Sequence, residues 1–254
     1  MAASQLSQTL KILTVNVHKG FTVFNRRFML HELRDAIRKT DADVVFLQEV
    51  LGEHRHHASR WKAWPDTSQY EFLADSLWDD FAYGRNAVYP AGHHGNAVLS
   101  KFPIADYENR DVSVGQHEKR GLLHCVLRPP DGQHDIHAIC VHLGLLERHR
   151  QKQMQGLRQL IKDKVPKLAP LLIAGDFNDW RLQGQKIMTL SCGMTEAFHS
   201  MHGRLASTFP ACFPVLRLDR IYIRNVSSVL PVNLDRKSWR RLSDHSPLAV
   251  KVIL

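Results

Sequence analysis

The chain has 254 residues, 44% of them hydrophobic, with 34 Lys and Arg against 25 Asp and Glu for a formal net charge of +9. That length suits one large domain or two small ones, and no apolar run approaches the ~18 residues that a membrane span needs. The polar start, residues 1–8, has neither the basic stretch nor the apolar core of a secretory signal, which points to the cytoplasm.

Short apolar runs bounded by turn residues recur along the chain. Residues 11–17, rich in branched side chains, read as a strand. Residues 27–39 place Leu30, Leu33 and Ile37 at helical spacing, the mark of an amphipathic helix. Residues 43–50 form a nearly continuous apolar strand of the kind buried on both faces, and residues 71–80 carry a weaker helical pattern. Strands follow at 95–100, 121–127 and 134–142. The stretch 146–164 is helical, with Met154, Leu157, Leu160 and Ile161 on one side. Residues 171–174, 217–223 and 247–253 complete the strands. Strands with intervening helices imply layered sheets flanked by helices. No repeat, low-complexity tract or long Gly/Ser linker divides the chain, so a single domain over 1–254, with its core at about 11–253, is expected.

The four cysteines, Cys125, Cys140, Cys192 and Cys212, show neither a C-x-x-C pair nor zinc-like spacing and are read as reduced core thiols. The positive charge favours phosphate-rich partners, whether nucleic acid or an anionic membrane face, without choosing between them. His54, His56 and His57, with His93 and His94, read as solvated loop residues. Trp61 and Trp64, among basic residues of 51–64, could touch lipid, stack a base or cover a core edge. Lys119, Arg120, Arg217 and Arg220 are candidates for a positive rim around a pocket.

Polar groups appear repeatedly where an apolar run ends: Asn16 and His18, Gln48 and Glu49, His142, Asp176 and Asn178, Asp219, then Asp244 and His245. Ligand sites in sheet proteins gather at strand ends, where loops unite residues distant in sequence. For any one of these residues a cap or turn is the simpler account; the series suggests one shared pocket. Glu49 follows a run that should be buried, and an ionised carboxylate there needs a compensating partner. A hard cation such as Mg²⁺ prefers such oxygens. Asp176 and Asn178, one residue apart after a buried strand, share a face if the chain stays extended. There, carboxylate and amide can hold a water and a phosphate oxygen together. Asp219, acidic within an apolar strand, is a candidate to fix the tautomer of His245 as general base.

The segments Thr14-Val15-Asn16-Val17, Leu47-Gln48-Glu49-Val50, Gly95 to Pro103, Val141-His142-Leu143, Gly175-Asp176-Phe177-Asn178, Leu218-Asp219-Arg220-Ile221-Tyr222 and Ser243-Asp244-His245 occur in one characteristic order. That order resembles the endonuclease/exonuclease/phosphatase superfamily, a DNase I-like group, across nearly the whole chain. Residues 16–22 and 71–75 resemble a bacterial branch of it. The resemblance implies an α/β (α+β) four-layer sandwich, two mainly antiparallel sheets packed face to face with outer helices. It implies a metal-dependent phosphoester hydrolase, most simply a phosphodiesterase; the alternatives are a DNA or RNA nuclease and a non-catalytic phosphate-binding member. Glu49 then resembles the Mg²⁺ ligand (Mn²⁺ being the substitute), with Asn16 and Asp244 in the metal shell. Asp176 would orient the attacking water, Asn178 would hold the phosphate, His142 would contact a phosphate oxygen, and His245 with Asp219 would complete the acid/base pair. Asn16, His18, Asn96 and Arg120 are expected to bind substrate. His18 stands where exonuclease III-type members carry Asp, so it either contacts phosphate or is structural. The partner expected is the phosphoester itself, a phospholipid or small diester or else nucleic acid, with no stable protein partner.

Overall fold

The computed structural model describes residues 8–22, 26–75, 77–116, 118–130 and 134–254, so the polar stretch read at residues 1–7 lies outside them. Among the described residues the strands are, in chain order, β1 (Thr9–Asn16), β2 (Val44–His54), β3 (Asp80–Tyr89), β4 (Gly92–Ser100), β5 (Ile104–Asp111), β6 (Gly121–Leu127), β7 (Ile136–His142), β8 (Leu171–Asp176), β9 (Thr195–Glu196), β10 (Asp219–Arg224), β11 (Ser228–Pro231) and β12 (Leu248–Ile253). The helices are α1 (Leu30–Thr40), α2 (Arg55–Arg60), α3 (Gln69–Ala74), α4 (Glu147–Lys164), α5 (Gln183–Lys186), α6 (Ala197–His202) and α7 (Arg236–Trp239). No described helix is long and apolar enough to cross a membrane.

The strands form two six-stranded sheets, ordered β11-β12-β1-β2-β4-β3 and β5-β6-β7-β8-β10-β9. Each has one parallel pair at its centre, β1 with β2 and β7 with β8, and antiparallel neighbours outward. The central strands are apolar on both faces because they have protein on both sides. One face meets the other sheet: Ile12, Phe46 and Val250 of the first pack with Leu123, Cys140, Leu172 and Ile221 of the second. The opposite face of the first sheet is covered by Leu30, Leu33 and Ile37 of α1, Leu73 of α3 and Trp239 of α7. Met154, Leu157 and Leu160 of α4 cover that of the second. The result is the expected four-layer sandwich, helix on sheet on sheet on helix.

Several local expectations are corrected. The helix read at 71–80 is α3, only six residues long. Ser68 and Glu71 close a capping box at its start, and Asp75, at φ 47°, ends it before β3 begins at Asp80. Strands β3, β5, β9 and β11 were not read at all. All four are edge strands, and β5 (Ile-Ala-Asp-Tyr-Glu-Asn-Arg-Asp) buries no residue fully, so it lacks the apolar signal of a central strand. His56 and His57 lie in α2 with His54 as its N-cap, and His93 and His94 lie on β4, so none of these is a loop residue. Trp61 and Trp64 cover a core edge: Trp64 stacks on Phe28 at 4.9 Å between ring centres, and Trp61 meets Phe21 edge-on at 5.7 Å. All four cysteines are free, but Cys212 is exposed rather than buried.

Candidate active site

Parallel pairing decides where the polar strand ends meet. In β1 and β2, Asn16 lies level with Gln48; in β7 and β8, His142 lies level with Asp176. Strands β10 and β12 run antiparallel to β8 and β1, so the residues at or before their starts return to that same edge, and Asp219 sits opposite Asp176. Six segments thus deliver side chains to one end of the sandwich.

Local backbone then aims them. The ladder between β2 and β4 breaks between Leu47 and Val50, and Glu49 within this bulge has φ 56°. A left-handed residue in a bulge re-aims its side chain off the alternating pattern. Glu49 keeps a side chain 20% exposed in this way between fully buried neighbours. On β8, Gly175 has φ 142°, and a Cβ there would lie 2.0 Å from the carbonyl oxygen of Val141. Only glycine permits this approach of β8 to β7 immediately before Asp176. Asn178 has φ 49°, so the extended geometry expected to align it with Asp176 does not hold. Its backbone N–H instead donates to Asp176 Oδ1 at 2.9 Å, closing an Asx turn. Its side-chain amide donates to the carbonyl of Leu143 at 2.9 Å. The turn thus engages Oδ1 of Asp176 and leaves Oδ2 to the other polar groups of the cluster.

The other oxygen, Asp176 Oδ2, faces Asn16 Nδ2 at 3.3 Å, His142 Nε2 at 3.6 Å and His245 Nε2 at 3.8 Å. His245 Nδ1 donates to Asp219 Oδ2 at 2.9 Å. Asn16 Nδ2 also reaches Glu49 Oε1 at 3.4 Å, and Asn16 Oδ1 accepts from the backbone of His18 at 3.1 Å. His18 Nδ1 lies 3.2 Å from Asp244 Oδ2 and 3.9 Å from Glu49 Oε2, and Lys19 Nζ is 3.9 Å from Glu49. The predicted Glu49, Asn16, His18, His142, Asp176, Asn178, Asp219, Asp244 and His245 form one continuous network.

Asn96 and Arg120 differ from expectation. Asn96 is wholly buried and donates to the carbonyls of Gly121 at 3.0 Å and Cys140 at 3.4 Å, tying the two sheets together. Arg120 is engaged with the carbonyl of Leu143 at 3.2 Å and with Glu118 at 2.8 Å. Arg220, expected on a positive rim, is buried against the carbonyls of Asp219 and Asp179, whereas Arg217 is exposed. Two supports went unread. Ser243 Oγ donates to the carbonyl of Asn16 at 2.6 Å and accepts from the backbone of His245 at 3.3 Å, fixing β1 to the last motif. Thr208 Oγ1 accepts from the backbones of Leu218 and Asp219. Ser243 stood inside a recognised motif; Thr208 carried no sequence signal.

Burial and neighbouring charge shift the titrating groups. Burial opposes charge on His245, yet Asp219 and Asp176 outweigh it and raise the imidazole to about 10. Burial pushes Asp176 up, His245 pulls it back and Asp219 raises it further, leaving it at about 7. Burial, reinforced by Arg120, keeps His142 neutral, well below the ordinary histidine range. Glu49 is pushed up by burial but pulled down by the cationic groups that face it, Lys19 among them, and is held at about 2.

Asp176, Asp219 and His245 offer ligand atoms within 4.8 Å of one another. A doubly protonated imidazole, however, has no lone pair for a cation. This trio is better suited to holding and moving a proton, whereas Glu49 and Asp244, which both face His18, are carboxylates that could offer oxygens to a hard cation.

The family model described as Endonuclease/Exonuclease/phosphatase family matches residues 13–245. The chain is 57% identical over 244 residues to YbhP of Escherichia coli (strain K12), covering 96% of both chains. Among solved structures it is similar to the endonuclease/exonuclease/phosphatase from Beutenbergia cavernae DSM 12333, with TM-score 0.74, 18% identity, and coverage of 97% of this chain and 72% of that one. It is also similar to D. rerio TDP2 complexed with single strand DNA product, with TM-score 0.68, 19% identity, and coverage of 97% and 98%.

Proposed function

The chain belongs to the endonuclease/exonuclease/phosphatase family, whose members are phosphoester hydrolases, and on that premise we propose that it is a Mg²⁺-dependent phosphodiesterase, with Mn²⁺ as substitute. The observation that carries this reading is one buried cluster in which Asp176 Oδ2 lies 3.8 Å from His245 Nε2 and His245 Nδ1 donates to Asp219 at 2.9 Å, with burial and neighbouring charge raising both Asp176, to about 7, and His245, to about 10. Two neighbouring titratable groups tuned to different values supply an acid and a base.

Asp176 Oδ2 is the base that takes a proton from the attacking water, and Asn16 and His142 hold that oxygen in place. The His245 imidazolium, oriented by Asp219, faces the charge that builds on the phosphoryl oxygens and can return a proton to the leaving oxygen. Asn178, with one amide hydrogen engaged by Leu143, has a second for the phosphate. Glu49 and Asp244, with the remaining lone pair of Asn16 Oδ1, fit a hard divalent cation, because the donors are oxygens and Glu49 stays ionised. Bound there, the cation would polarise the phosphate and offset charge on the leaving group.

The test is Mg²⁺-dependent hydrolysis of bis-p-nitrophenyl phosphate. Wild type should turn over, and His245→Ala should lose at least ~10² in rate, the usual scale for general acid/base loss. Near-normal turnover in that variant overturns the assignment, and a wild type inert with both Mg²⁺ and Mn²⁺ overturns the diesterase reading. A nuclease is the second reading, since the net charge of +9 suits phosphate-rich partners of either kind; it requires oligonucleotide binding that weakens steeply with salt.

A further inference from the structure

The loops that carry the site also carry exposed apolar side chains. Leu145 and Leu146 follow His142, Trp180 follows Asn178, and Phe213, Val215 and Leu216 precede Asp219; all six are between 39% and 75% exposed. The loops are stitched together. Asn178 donates to Leu143, the backbone of Phe177 to Leu218, and the backbone of Ala211 to Asp244, while the ring of Phe209 lies 5.0 Å from that of His245. The strands they join put them all at the site's edge of the sandwich. Among the described residues the other exposed large apolar ones are dispersed: Phe81 and Val88 on β3, Tyr107 on β5, Leu190 in the helical turn before β9, Leu230 on β11, and Leu168 before the start of β8, at the opposite edge. Single exposed apolar residues are ordinary, but a group around one mouth marks an interaction surface.

Cations are interleaved with these residues. Arg148, Arg181 and Arg217 are exposed on the same loops or the start of α4, Lys119 is exposed just before β6, and the Arg181 guanidinium lies over the Trp180 ring at 4.6 Å. The nearby acids are engaged: Glu118 with Arg120, Glu147 with Arg150, and Asp179 with the backbone amides of Gln183 and Gly184. The mouth is therefore apolar and cationic together. Nucleic acid complements the charge, but Leu145, Leu146, Val215 and Leu216 are aliphatic and offer no face on which bases stack. A bilayer of anionic phospholipid complements both features: aliphatic and aromatic tips enter the acyl boundary while Arg and Lys meet the headgroups.

We propose that this rim docks on an anionic phospholipid surface, so that the phosphodiester presented to the site is a lipid headgroup linkage. The docking stands on the rim alone; the identity of the cleaved bond rests on the hydrolase reading.

The experiment is co-sedimentation of the full chain with sucrose-loaded vesicles in EDTA, where turnover plays no part. Phosphatidylglycerol mixed into phosphatidylethanolamine is compared with pure phosphatidylcholine. Binding is expected to the anionic vesicles, to weaken with salt, and to drop by about tenfold or more in Trp180→Ser/Phe213→Ser, since each buried aromatic contributes on that scale. Arg181→Glu/Arg217→Glu should lose about fivefold or more for each cation removed. Circular dichroism melts of both double variants check that the fold is kept. No sedimentation with anionic vesicles, or sedimentation that neither double variant weakens, overturns the proposal. So does a single-stranded oligonucleotide that binds where vesicles do not and is released by the same substitutions. Sedimentation by a protein that shows no diesterase turnover leaves the docking standing and removes the hydrolase reading.

Discussion

Replacing Asp219 by Asn removes one charge from the site while keeping the shape of the side chain. The rise of His245 from 6.5 to about 10 corresponds to ~5 kcal/mol in favour of the imidazolium. Burial opposes that charge, and Asp219 is the largest group that overcomes it, through its charge and its 2.9 Å hydrogen bond. A hydrogen bond to a charged partner contributes ~1.5–3 kcal/mol, so Asp219→Asn should bring His245 down by about one to two pH units. The sign follows. In wild type the folded value lies above the unfolded one, so the stabilisation from His245 is fully present below about 6.5 and is lost as pH rises through about 10. The variant should lose it at lower pH. Imidazole chemical shifts of the metal-free protein, followed by NMR through an alkaline titration, read the value directly. The pH–rate profile for bis-p-nitrophenyl phosphate should show its alkaline limb displaced the same way, with turnover reduced by ~10² or more because the imidazole has lost its orienting partner. A His245 titration in the variant that stays at about 10 would refute the claim that Asp219 sustains the imidazolium.

Glu49→Gln should abolish the rise in melting temperature that Mg²⁺ gives wild type, since a ligand that binds only the folded state stabilises it by mass action. Equal Mg²⁺ shifts in the two proteins would move the cation away from Glu49. Asn96→Ala should destabilise by ~1–3 kcal/mol in urea unfolding, because it strips donors from two buried carbonyls that join the sheets. A variant of unchanged stability but raised KM would restore Asn96 to the substrate.

The sequence by itself determined the central strands, the two long helices and the order of the motif segments. Those signals are local. Continuous branched and apolar runs such as residues 43–50 and 171–174 have protein on both faces, and the helical spacing of α1 and α4 survives any arrangement of neighbours. Polar residues at strand ends were equally legible, because an acidic or amide group closing a buried run demands a partner. Edge strands β3 and β5 were not legible, since a strand with one free side and polar residues has no pattern to read. Tertiary structure alone decided which strands pair in parallel, and that pairing sets Asn16 beside Gln48 and His142 beside Asp176 across segments far apart in the chain. It also decided the left-handed turns at Glu49 and Asn178, which re-aim two site residues away from simple alternation. The rise of both Asp176 and His245 in proton affinity belongs to neither residue alone. It arises from the burial and the mutual distances of groups that only the folded sheets bring together.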